Sequence, residues 1–342
     1  MTVWEHKEFS EHERVTFMRD ESSGLLGIHA IHRLINGRSG GGIRFYPYPT
    51  TDAALTDVLR LSRAMTFKMI LAGVPMGGAK MVIIGNPSQD KSPQLLETLG
   101  HFIDGFQGAY SAGPDVGTTG KDMAALSKIT QYVAGTGEGS TAVPTAYGVF
   151  RGIKASVKHL LGRDDLNGLT VAVQGIGGVG ERLSQHLHQA GANLIMADIN
   201  ETAVARIAQE TDAQIVSTDE ILFQKADILA PCALGGIIND DTIPKIQAKI
   251  ICGGANNQIA EPRHNQILHQ NGVLFAPDYV VNAGGVVSGT AEVGIIPQNE
   301  MQIRLDAIYD TTLKIFKLAE ESSILPEEAA VALAEQRLKE LI

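Results

Sequence analysis

Three charged residues stand where charge is unusual. Lys68 closes Met65-Thr66-Phe67-Lys68 at the end of a long apolar-periodic segment. Lys80 follows Gly77-Gly78-Ala79 and leads into the apolar run 81–84, and Asp115 follows Gly113-Pro114. Lysine prefers a solvated face. Buried beside an apolar strand, it has a lowered pKa and can act as a base. Two lysines at element ends can equally snorkel to water. A second pattern is Gly175-Ile176-Gly177-Gly178-Val179-Gly180, which fits G-x-G-x-x-G. It lies between an apolar run and a helical pattern, the context a dinucleotide site requires. Gly175 allows the tight turn, Gly177 lets backbone approach pyrophosphate, and Gly180 lets helix and strand pack closely. The phosphates would meet free N–H groups at a helix N-terminus. Asp198 ends the next apolar run, about 20 residues on. Its carboxylate would bind the ribose hydroxyls and repel a 2′-phosphate, which predicts NAD rather than NADP.

The elements that must hold these residues read as two sets. In the first, 25–34 reads as a strand, 51–72 as a capped amphipathic helix, 81–84 as a buried strand and 94–106 as a helix. Gly135, Gly137 and Gly139 then load a linker, and the boundary is placed between 138 and 139. Beyond it, apolar runs at 171–173, 194–197, 226–230, 249–252 and 273–276 alternate with helix-length segments, the first of these a helix at 181–189. That rhythm predicts α/β architecture with a doubly wound parallel sheet covered on both faces. The expected domains are a substrate and oligomerisation domain at 1–138, an NAD-binding Rossmann domain at 139–325, and a C-terminal helix at 326–342 returning to the first.

Composition narrows the class. The chain has 342 residues, a formal charge of −10 and 37 glycines, against about 24 at an average 7%. The acidic balance argues against broad nucleic-acid binding. Cys232 and Cys252 are too few for a secreted disulfide framework, so a cytoplasmic location is expected. The charged segment 1–20 does not read as a signal peptide, and no apolar run reaches membrane-helix length. Ten histidines show no ligand spacing, so no metal is expected. No G-x-S-x-G elbow supports a hydrolase.

Taken in order, the motifs GGIR (41–44), AMTFK (64–68), AGVPMGGAK (72–80), DVGT (115–118), PTAYGV (144–149), the glycine turn and VNAGG (281–285) resemble the Glu/Leu/Phe/Val amino-acid dehydrogenases. The likeness is to their leucine and phenylalanine branch and spans nearly the whole chain. It implies reversible oxidative deamination of an L-amino acid to a 2-oxo acid and ammonia, with NAD taking a hydride. By motif position, Lys68 would bind the substrate carboxylate, Lys80 would activate water, and Asp115 would shuttle protons at the amine. Thr145 would contact the nicotinamide amide, Asn256 and Asn282 would line the cofactor side, and backbone around Gly41 and Gly78 would lie against substrate. Lys68 together with burial would lower the pKa of Lys80.

Three positions set beside that branch are glycine here: Gly40, Gly113 and Gly289. They would open room for a large aromatic side chain, tryptophan or phenylalanine. Alternatively Met69, Met76 or Ile43 fills that room, and a branched-chain amino acid is the substrate. A non-catalytic NAD-binding sensor is the reading from another class, and it predicts loss of Lys68, Lys80 or Asp115. The absence of the longer tail of the leucine branch suggests a homodimer.

Overall fold

A computed structural model describes residues 2–137 and 141–341. The expected boundary between 138 and 139 lies outside the described residues. The chain divides into two compact units, Met1–Ser140 with Ser288–Met301 and Ala334–Ile342, and Thr141–Val287 with Gln302–Leu333.

The first unit is built on a five-stranded sheet of order β1-β2-β4-β3-β5. The strands are β1 (Arg14–Asp20), β2 (Leu25–Ile31), β3 (Ser39–Tyr46), β4 (Gly77–Ile84) and β5 (Tyr110–Pro114). β1 and β4 run antiparallel to β2, while β3 runs parallel to both β4 and β5. Alternation along each strand separates two faces. Ile43, Phe45, Ala79, Met81, Ile83, Tyr110 and Ala112 share one core with Leu95, Leu99 and Met123. On the other face Ile28, Ala30 and Val82 pack on Ala54, Leu55, Val58 and Leu59 of the helix Thr51–Leu71. That helix starts as its sequence predicts, because the Thr50 hydroxyl accepts the Ala53 N–H at 3.1 Å. Gly40, Gly42, Arg44 and Lys80 fall on this second face by alternation.

Two features of the unit differ from the sequence expectation. Lys80 sits within β4, not ahead of it. Residues 288–301, expected with the nucleotide domain, group with this unit. Glu292 accepts the Gly135 N–H at 2.8 Å and the Thr136 hydroxyl at 2.9 Å, which ties the segment down. Within the helix Pro326–Leu341, Arg337 donates to the Leu71 carbonyl at 3.2 Å and Leu338 packs with Ile35 and Ile70.

The second unit holds a six-stranded parallel sheet of order β11-β10-β9-β6-β7-β8. Its strands are β6 (Thr170–Gln174), β7 (Asn193–Ala197), β8 (Gln214–Ile215), β9 (Ile228–Pro231), β10 (Ile250–Ile251) and β11 (Leu274–Phe275). Val171, Val173 and Ile228 face one core with Leu183, Leu187 and Ile207, and Ala172 and Leu229 face another with Ile221, Ile243 and Leu268. This is the doubly wound α/β fold. The strand order reverses between β6 and β9, which puts a ligand crevice at the carboxyl ends of these strands. No helix among the described residues is long and apolar enough to cross a membrane, and none of their acidic, histidine and cysteine side chains forms a metal-holding group.

Candidate active site

Lys80 is 5% exposed, and its Nζ lies 2.8 Å from Oδ2 of Asp115. The same Oδ2 accepts Nε–H of Arg44 at 2.9 Å. Oδ1 makes no hydrogen bond among the described residues. Burial alone would raise the Asp115 carboxyl. The charges of Lys80 and Arg44 outweigh it and hold the group well below the usual carboxylate range. Asp115 is therefore an anion with one oxygen committed and one available.

Backbone geometry fixes the pair. Asp115 donates its N–H to the Thr118 hydroxyl at 2.9 Å, and that hydroxyl donates to the Ile43 carbonyl at 2.8 Å. Gly117 stands at φ +79°, and a Cβ there would lie 2.0 Å from the Phe45 carbonyl oxygen, so the turn after Asp115 requires glycine. A Cβ on Gly42 would come within 2.9 Å of the Asp115 Cβ and 3.2 Å of Lys80 Nζ. Lys68 is half-buried in the last turn of the helix Thr51–Leu71.

The glycines singled out in the sequence have different surroundings. Cβ atoms on Gly41 and Gly78 would strike the Ala79 carbonyl oxygen at 1.7 Å and the Thr66 nitrogen at 2.0 Å, so close packing of strand on strand and helix on strand accounts for both. The space beside Gly40 is taken by Met69 and Met76, whose side-chain atoms lie 3.1 and 3.2 Å from the Cβ position. Among the described residues a Cβ on Gly113 would meet nothing within 4 Å, and one on Gly289 would meet only the Ala134 Cβ at 3.4 Å. Ile43 points into the opposite core and cannot shape this face.

In the second unit the turn after β6 has the form a pyrophosphate needs. Gly175 stands at φ +92°, a Cβ on Gly180 would lie 1.8 Å from the Gly175 carbonyl oxygen, and a Cβ on Gly177 would project into open space before the helix Gly178–Gln189. Asp198 accepts the Ile176 N–H at 2.6 Å, which seats its carboxylate at the end of β7 beside the turn. Asn282 donates to the Asn256 side-chain oxygen at 2.8 Å. Thr145 donates to the Thr141 carbonyl at 2.7 Å, and a Cβ on Gly285 would lie 2.9 Å from its hydroxyl. These residues fit a dinucleotide: a glycine cradle at a helix N-terminus, an acid at the second strand, and paired amides farther along the sheet.

Sequence spacing gave no sign of the support behind Asp115. Arg44 stands in the GGIR motif, but its partner Asp57 lies on a helix, and Tyr48, which donates to Asp57, lies on a loop, with no motif spacing to join them.

Two family models match the chain. Residues 12–132 match the Glu/Leu/Phe/Val dehydrogenase dimerisation domain, and residues 194–340 match Glutamate/Leucine/Phenylalanine/Valine dehydrogenase. Leucine dehydrogenase of Geobacillus stearothermophilus is 44% identical over 99% of this chain and 94% of its own. Phenylalanine dehydrogenase of Thermoactinomyces intermedius is 41% identical over the same shares. The crystal structure of L-tryptophan dehydrogenase from Nostoc punctiforme superposes with a TM-score of 0.86 at 40% identity, covering 97% of each chain. The chain belongs to the Glu/Leu/Phe/Val dehydrogenase family, the oxidoreductases that act on the CH–NH2 group of amino acids.

Proposed function

We propose that this chain catalyses the reversible, NAD-dependent oxidative deamination of a large aromatic L-amino acid, tryptophan or phenylalanine, to its 2-oxo acid and ammonia. The observation that carries the deamination reading is the contact of buried Lys80 with an ionised Asp115 that keeps one oxygen free. Lys68 holds the substrate carboxylate as a point charge. Oδ1 of Asp115 takes a proton from the substrate ammonium and later returns one to the departing amine. A nicotinamide dinucleotide held by the glycine turn would supply the acceptor for the Cα hydride. Lys80, as the neutral amine left once its ammonium proton has gone to solvent, orients the water that adds to the resulting imine carbon and takes its proton as the C–O bond forms. The 2.8 Å contact from Nζ to Oδ2 is short enough for that proton to pass on to Asp115. Gly175, Gly177 and Gly180 seat the pyrophosphate, Asp198 the ribose, and Thr145, Asn256 and Asn282 the nicotinamide end. The Asp198 carboxylate favours NAD over NADP.

Open space at Gly113, on the strand that ends beside Asp115, supports the aromatic side chain, and the light packing at Gly289 adds to it. The branched-chain reading draws on Met69 and Met76, which occupy the space beside Gly40. Methionines are adaptable enough to move aside for a ring. The match of residues 12–132 to a dimerisation domain supports a homodimer, and two unpaired cysteines suit the cytoplasm. Incubation with NAD and each L-amino acid in turn, followed by NADH absorbance, tests the proposal. No signal with any amino acid removes the dehydrogenase reading. A preference for leucine or valine over tryptophan and phenylalanine replaces the aromatic reading with the branched-chain one.

A further inference from the structure

Arg44 lies between two carboxylates. Nε donates to Asp115 Oδ2 at 2.9 Å, and the terminal nitrogen Nη1 donates to Asp57 Oδ2 at 3.0 Å. The Tyr48 hydroxyl donates to the same Asp57 oxygen. The guanidinium side chain is 17% exposed and the Asp57 side chain 27% exposed, so the chain of contacts runs from the protein margin to the buried site. Burial and Asp57 push the Tyr48 hydroxyl above its ordinary value, so it stays a donor. A planar guanidinium with two engaged edges cannot rotate without breaking one of the bonds.

We propose that Arg44, braced from behind by Asp57 and Tyr48, is a positioning residue that commits Asp115 Oδ2 and thereby turns Oδ1 toward the substrate amine. The proposal rests on the reading of Asp115 as the proton carrier. With both Lys80 and Arg44 on one oxygen, the carboxylate plane is fixed from two directions. Without Arg44, Lys80 alone is a swivel, because one point contact leaves the carboxylate free to rotate about χ2. Oδ1 then loses its aim while Lys68 and the nucleotide turn remain as they were. The loss therefore falls on turnover rather than on binding.

Tyr48→Phe and Asp57→Asn loosen the brace without emptying the site. Each is expected to lower kcat by about 10- to 100-fold and to change KM for the amino acid and for NAD by less than about threefold. Arg44→Lys reaches one carboxylate and not both, so it falls in the same range. Arg44→Ala falls further and is restored in a saturable way by added guanidinium. Asp115→Asn is measured beside them. If Asp115→Asn abolishes turnover while Tyr48→Phe, Asp57→Asn and Arg44→Lys all stay within twofold of the unaltered enzyme, the brace is refuted and the Asp115 reading stands. If Asp115→Asn itself keeps near-normal turnover, the reading beneath the proposal fails. A rise in KM with kcat unchanged in the brace variants also overturns it, because it assigns Arg44 to binding. Tyr48→Phe keeps the ring and its packing, so it reports even if Arg44→Ala does not fold.

Discussion

Gly78 donates its N–H to the hydroxyl of Thr66 at 3.0 Å, and each of the two stands two residues before a lysine of the site. The bond pins the end of the helix Thr51–Leu71 to β4. It sets Lys68 and Lys80 out from a common anchor. His32 Nδ1 lies 2.9 Å from the same hydroxyl, so the anchor is buried and three-way. Gly78→Ala is expected to cost about 1–3 kcal/mol by overpacking, because its Cβ would meet the Thr66 backbone at 2.0 Å. Denaturant midpoints and kcat, measured together, should both fall. An unchanged midpoint contradicts the packing argument.

Removing the hydroxyl and keeping the volume separates the bond from the shape. Thr66→Val leaves the Gly78 N–H without its acceptor. The expected loss is about 1–3 kcal/mol, with kcat/KM reduced for every amino-acid substrate alike, since neither lysine is tied to a particular side chain.

Acid should weaken the first unit through its histidines. Burial, with Arg14 nearby, lowers His29 to about 3. Burial, with His12, Arg33 and Arg63 nearby, lowers His32 to about 3. Both are neutral in the folded chain at pH 5, and both would charge on unfolding at their ordinary value of 6.5. The unfolded state then binds more protons between pH 6.5 and 3, so stability falls as pH drops through that window. The slope reaches about 1.4 kcal/mol per pH unit for each fully shifted group. His29 lies against the rings of Phe106 and Tyr110, with neither ring nitrogen hydrogen-bonded among the described residues. His29→Leu should flatten the decline of the urea midpoint between pH 7 and 5 and leave the midpoint at pH 7.5 unchanged or higher.

Filling the space at Gly113 tests the side-chain reading. Gly113→Val is expected to lower kcat/KM for tryptophan more than for leucine, by about tenfold or more in the ratio, since it adds an isopropyl group and even a single carbon in an apolar pocket shifts discrimination by about 1–3 kcal/mol. A uniform loss across all amino acids would remove Gly113 from the pocket.

On the proposed reading, coenzyme choice hangs on Asp198. Asp198→Ala removes a charged hydrogen-bond acceptor, a loss of about 1.5–3 kcal/mol, so kcat/KM for NAD should fall about 10- to 100-fold while the ratio of NADP to NAD use rises. A ratio that does not move assigns Asp198 to the turn alone, through its bond to the Ile176 N–H.

The second unit was largely legible in the sequence because its signals are local. A strand, a glycine turn, a helix and an acid follow one another within about 30 residues, and each residue type there has its own steric or charge reason. In the first unit much of what matters is non-local. β3 carries Gly40, Gly41 and Gly42 and has no strand signal of its own in the sequence, yet the strand forms because β4 and β5 supply hydrogen bonds on both sides. Lys80 reads as a strand's prelude, yet lies within β4, where the same pairing carries the chain through Gly77 and Gly78. Arg44, Asp57 and Tyr48 meet through the packing of the helix Thr51–Leu71, which no spacing encodes. The filling of the space beside Gly40 by Met69 and Met76 is likewise a fact of packing.

On the proposed mechanism Lys80, set against Asp115, is the base that activates water. Steady-state turnover of Lys80→Ala, with NAD binding checked in parallel by fluorescence titration, tests it most directly. A fall in kcat of about 100-fold or more is expected, with NAD affinity unchanged. Turnover within a fewfold of the unaltered enzyme would contradict it.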